Sequence, residues 1–131
     1  MDRDSFFGAD DLIHVYTRAQ AIADGALVDV STTAHEAGFL IPVALTATVH
    51  ADVNDLSGRY VTVGQDARGR LWDLLFLARL NAAKPENTDT SEFVFNLHMP
   101  VGEGQKYSVK AMIGPGDDEQ PVLTLLLPTE D

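Results

Sequence analysis

GRLWDLLFLARLNA, running from Gly69 to Ala82, is the stretch whose reading decides the fold. Leu71, Leu74, Leu75 and Ala78 recur at helical spacing, and Trp72, Phe76 and Leu80 widen that stripe. Asp66 stands where an N-cap belongs, and Asn81 to Pro85 supplies a stop. A helix apolar around so much of its girth needs cover on more than one side. The expectation is a central helix with Leu71, Trp72, Leu75 and Phe76 largely buried and the rest of the chain wrapped around it.

Downstream of that helix the period changes. Lys84 to Ser91 is a hydrophilic connection. Phe93, Phe95, Leu97 and Met99 then alternate with Val94, Asn96 and His98, the period of a strand. Pro100 to Gln105 reads as a hairpin connection. Tyr107, Val109, Ala111 and Ile113 repeat the alternation, Gly114 to Pro121 is a turn dense in breakers, and Val122 to Leu127 is a last strand. Short connections join the three strands, so an antiparallel meander follows, with one face on the central helix.

Upstream the elements are short. Met1 to Asp11 is a polar lead-in and Leu12 to Tyr16 a β-like run. Thr17 with Gln20 three residues on makes a capping box for a helix from Arg18 to Asp24, and Gly25 closes it. Ala26 to Val30 is a brief apolar piece. Ser31, Thr32 or Thr33 can cap a turn over Ala34 to Ala37, stopped by Gly38. Pro42 follows, and Val43 to Val53 reads between helix and strand, with helix favoured. Asn54 to Gly58 is a loop and Arg59 to Val63 an extended piece. Helices first and sheet last give one α+β domain over residues 1–131: short N-terminal helices and a central amphipathic helix on a C-terminal three-stranded antiparallel sheet.

Composition removes several chemistries. The 131 residues contain no cysteine, so disulfides, thiolate metal sites and thiol catalysis are excluded. The acidic opening MDRDSFFGADD is unlike a signal peptide, and the apolar runs are too short to span a bilayer. The chain reads as cytoplasmic. The net charge is −11, which disfavours direct contact with nucleic acid or an anionic membrane and favours a basic protein surface. The charge is uneven: nine acids against two bases from Met1 to Ser57, eleven against seven in the remainder.

No motif supplies a catalyst. His35-Glu36 begins like a zincin helix, but Phe39 stands where the second histidine belongs. His50, Asp52 and Asp55 are close in sequence, yet on a helix His50 and Asp52 point to different sides. The acids of GDDEQ, Gly116 to Gln120, lack the spacing of a calcium loop. No nucleophile elbow and no phosphate-binding glycine loop occurs. Neither metal nor cofactor is expected. Arg18, Asp24 and Asp29 read as an arginine–carboxylate pairing that holds a corner.

The run YTRAQAIADGALVDVS from Tyr16 to Ser31, then Ala34, Glu36, Gly38 and Phe39, then Pro42 to Thr46, resembles a family of small uncharacterised bacterial proteins. The likeness continues through Gly69 to Arg79, GPGDD at Gly114 to Asp118, and PVLTLLLPTED at Pro121 to Asp131. Such domains of unknown function are typical of plasmids, phages and other mobile elements. The resemblance implies an accessory role on such an element and transfers no catalytic residue. The functional expectation is a non-enzymatic interaction protein, an acidic nucleic-acid mimic that blocks a host restriction or CRISPR protein. Its expected contacts are Asp10, Asp11, Asp24 and Asp29, which fall in or beside turns. The alternative is a small-ligand module or an enzyme with its site in the N-terminal half, near His14, His35 and His50.

Overall fold

The alternation of Phe93, Phe95 and Leu97 against Tyr107, Val109 and Ala111 builds a hairpin, and the rest of a larger sheet grows from it. The computed structural model describes residues 16–55, 67–101 and 104–130. In chain order the elements are α1 (Arg18–Asp24), β1 (Leu27–Asp29), α2 (Ser31–Glu36), β2 (Val43–Thr46), α3 (Ala47–Val53) and α4 (Ala67–Ala82). A short 3-10 turn (Pro85–Asn87), β3 (Glu92–Val101), β4 (Gly104–Pro115) and β5 (Pro121–Leu126) follow. The LIHVY run up to Val15, the Asp66 cap and the extended piece Arg59 to Val63 lie outside the described residues.

The meander forms as its period dictates, with Phe95 opposite Val109, Leu97 opposite Tyr107 and Ala111 opposite Leu125. The sheet does not stop at three strands, however. β5 also pairs in parallel with β2, Val43 beside Leu123 and Leu45 beside Leu125, and β2 pairs antiparallel with β1. The result is a mixed five-stranded sheet in the order β1-β2-β5-β4-β3. The three-stranded expectation is thereby corrected, and the cause is the run Val43 to Val53. It is neither one helix nor one strand. Val43, Ala44 and Leu45 are fully buried, as a strand covered on both faces requires. Thr46 then turns the chain, its hydroxyl accepting the Val49 amide at 3.3 Å as the N-cap of α3.

α1 has the boundaries and caps its sequence announces: Thr17 and Gln20 form the capping box, and Gly25 closes the helix in the left-handed region at φ 84°. α2 starts earlier than expected, at Ser31, and its N-cap is Val30 with no side-chain bond. Asp29 does the capping work one residue away, accepting the Ser31 amide at 3.1 Å and the Ser31 hydroxyl at 2.5 Å.

The core lies between one face of the sheet and the helices α2, α3 and α4. Leu74, Leu75 and Ala78 of α4 are fully buried against Phe93, Phe95, Val109, Leu123 and Leu125. The girth-wide burial expected of α4 is not there. Leu71 is half-buried, and Trp72 and Phe76 remain 38% and 37% exposed, with Leu80 more so. The physical reason is that α2 and α3 pack below and beside α4 while its outer arc faces solvent. Trp72 and Phe76, one turn apart, stack on each other at a centroid distance of 5.1 Å and so shield each other in part. Arg70, by contrast, is buried. Its Nη1 donates to the Asp55 carbonyl at 2.5 Å, placing a cation at the C-terminal end of α3. Among the described residues no helix is long and apolar enough to cross a membrane.

Candidate functional site

Two grooves meet at Arg18. α1 is fixed there from both directions. Its first amides, Arg18 and Ala19, each donate at 2.9 Å to the carboxylate of Asp117 in the turn between β4 and β5. Those two bonds, Ala19 first, hold the Asp117 carboxyl below the ordinary carboxylate range. The Arg18 side chain then crosses onto β5. Its Nη1 donates to Thr124 Oγ1 at 2.7 Å and its Nη2 to the Leu123 carbonyl at 2.9 Å. Thr124 alternates with Leu123 and Leu125, which face α4, so Arg18 lies on the opposite face of the sheet. The expected arginine–carboxylate pairing with Asp24 or Asp29 is not made; Arg18 spends its hydrogen bonds on neutral oxygens. Burial pulls its pKa down, and Asp29 and Asp117 oppose that from a distance.

The first groove, about 440 Å³, is lined by Arg18, Ile22, Asp29, Ser31, Asp117 and Asp118 among others. The second, about 310 Å³, shares Arg18 and Val122 with the first and is walled further by Leu27, Met112, Thr124 and Leu126. Of the expected contact residues, Asp29 lines the acidic groove. Asp24 is exposed, accepts the Tyr16 hydroxyl at 3.0 Å and lines neither groove. Asp10 and Asp11 lie outside the described residues. Asp117 and Asp118 were not expected as partners of Asp29. The pairing of Pro115 with Pro121 puts their turn at the start of β5, where Asp117 meets the first amides of α1, a contact that sequence spacing alone does not give.

Among the described histidines and carboxylates of the N-terminal half, His50 and Glu36 share a cleft while Asp52 lies elsewhere. His50 lines a cleft of about 270 Å³ between α2, α3 and the start of α4, with Glu36, Asn54 and Arg68. Asn54 Nδ2 donates to the His50 carbonyl at 2.8 Å and lies 3.2 Å from His50 Nε2. Asp52 points the other way and accepts the Tyr107 hydroxyl at 2.5 Å. Among the described residues no three histidines or carboxylates are grouped to hold a metal ion. His35 is exposed; His14 and the His98 side chain lie outside the described residues.

Fold and site together define a small acidic α+β protein in which Asp29, Asp117 and Asp118 cap helices and turns. Within that class the chain belongs to the family of unknown function DUF6573, which it matches over residues 3–131. No curated protein and no solved structure matches it.

Proposed function

We propose that this chain is a non-enzymatic interaction protein that presents carboxylates to a basic, nucleic-acid-binding surface of another protein. The observation that carries the reading is the acidic groove: Asp29 from β1 and Asp117 and Asp118 from the far turn line one concave surface. With a net charge of −11 behind it, such a surface steers a cationic partner and repels nucleic acid itself. The mobile-element setting that the sequence resemblance implies suits a mimic that occupies a host restriction or CRISPR protein. The test is capture from a bacterial host lysate, identification by mass spectrometry, and kinetic binding across a salt series. The on-rate is expected to fall as salt rises, and Asp118→Asn combined with Glu119→Lys to slow association at unchanged melting temperature. A salt-independent on-rate, or a partner whose contact face is itself acidic, rejects the proposal.

A further inference from the structure

The second groove is of a different chemical kind from the first. Arg18 is the only charged side chain among the described residues that line it, on a protein with more than twice as many acids as bases. Its other walls are mostly apolar, Leu27, Met112, Val122 and Leu126, and its two threonine hydroxyls are already engaged, Thr124 with Arg18 and Thr46 with Glu130. The two hydrogen bonds of Arg18 use one N–H of each terminal nitrogen and go to uncharged oxygens. A guanidinium carries five donors in a planar fork that matches a carboxylate two bonds at a time. Arg18 therefore holds a partly buried positive charge, pinned in one orientation by Thr124 and β5, with donors still available at the edge of an apolar groove.

We propose that this groove binds a small carboxylic acid with an apolar tail, the carboxylate on the Arg18 guanidinium and the tail along Met112, Val122 and Leu126. The volume, about 310 Å³, is at the lower end of the range for small-ligand sites and fits a medium-length chain or a single ring. An uncharged tail alone lacks the one interaction that sets orientation. An amine of the same length meets the guanidinium as a like charge. Of the carboxylates of the neighbouring groove, Asp117 takes the Arg18 backbone amide rather than its guanidinium, while Asp29 and Asp118 accept from Ser31 and Gln120. This inference is independent of the protein-partner reading, because it concerns the other groove and another class of ligand.

The experiment is titration calorimetry on the full chain with octanoate, octanol and octylamine, each also read as a thermal shift. Octanoate is expected to saturate one site and to bind at least about tenfold tighter than octanol, a difference of about 1.4 kcal/mol. Octylamine is expected not to raise the melting temperature. Met112 is exposed, so Met112→Glu should fold; it delivers the protein's own carboxylate to the groove and is expected to abolish octanoate binding. Arg18→Lys keeps the charge without the fork and should weaken octanoate several-fold. Equal binding of octanoate and octanol, no binding of octanoate to the parent chain, or undiminished binding to Met112→Glu would each overturn the proposal.

Discussion

Tyr107 and Asp117 each tie stability to pH, and they act with opposite signs. Tyr107, on β4, donates to the Asp52 carboxylate of α3. Burial first, and then that hydrogen bond, raise its phenol pKa above the ordinary value. Because the folded pKa is the higher one, the contribution is whole below about pH 10, where the unfolded phenol titrates, and is lost as pH climbs towards the folded value. Tyr107→Phe is expected to cost about 1–3 kcal/mol at neutral pH, since it leaves the Asp52 carboxylate without its donor. It should also flatten the alkaline limb of stability measured by denaturant unfolding. Asp117 is the reverse case. Its folded pKa is lowered by the Ala19 and Arg18 amides, so its contribution is present above about pH 3.9 and drains as pH falls through the folded value. Asp117→Asn keeps an acceptor for one amide and loses the charge. The expected outcome is a lower melting temperature at neutral pH and a shallower acid limb; an acid limb identical to that of the parent chain would remove Asp117 from the account.

At the scale of elements, α4 separates what apolar count says from what packing does. Leu75→Ala removes a fully buried side chain and should cost about 2–5 kcal/mol. Leu80→Ala, on the exposed arc of the same helix, should cost less than about 1 kcal/mol. Melting curves of the two variants, side by side, check which arc is core, and comparable losses would contradict it. Gly38 is the other hinge of this packing. It sits at φ 107° after α2, and a Cβ there would run into the Arg79 side chain of α4. Gly38→Ala is expected to cost about 1–3 kcal/mol, with no relief from Arg79→Ala beyond the steric part, because the backbone strain stays. α1 and the meander were legible because their signals are local: Thr17, Gln20 and Gly25 for the helix, alternation for the strands. β2 was not, since four residues carry too little periodicity and only its pairing with β5 makes it a strand. Trp72 and Phe76 misled for a related reason: a sequence shows how apolar a helix is, but not how many neighbours reach it. The Arg18 corner depended on contacts with Thr124 and Asp117, both remote in the chain.

At the scale of the whole molecule, several of the described carboxylates hold the fold's own amides and hydroxyls in place. Asp29, Asp117 and Asp118 each accept a backbone amide. Asp24 and Asp52 each accept a tyrosine hydroxyl. No grouping of ligands suits a metal ion among the described residues, so the melting temperature is expected to be the same with and without EDTA. A drop of several degrees on chelation would send attention back to His50 and its neighbours. The order of the sheet carries one more consequence. β5 is the last of the described strands along the chain, yet it sits at the centre, between β2 and β4. As a ribosome makes this protein, β1 and β2 emerge early and the β3–β4 hairpin later, and neither part can dock on the other until residue 126 has cleared the exit tunnel. Until β5 docks, β2 and β4 each lack the neighbour that covers their backbone edge, and an uncovered edge is open to pairing with another chain.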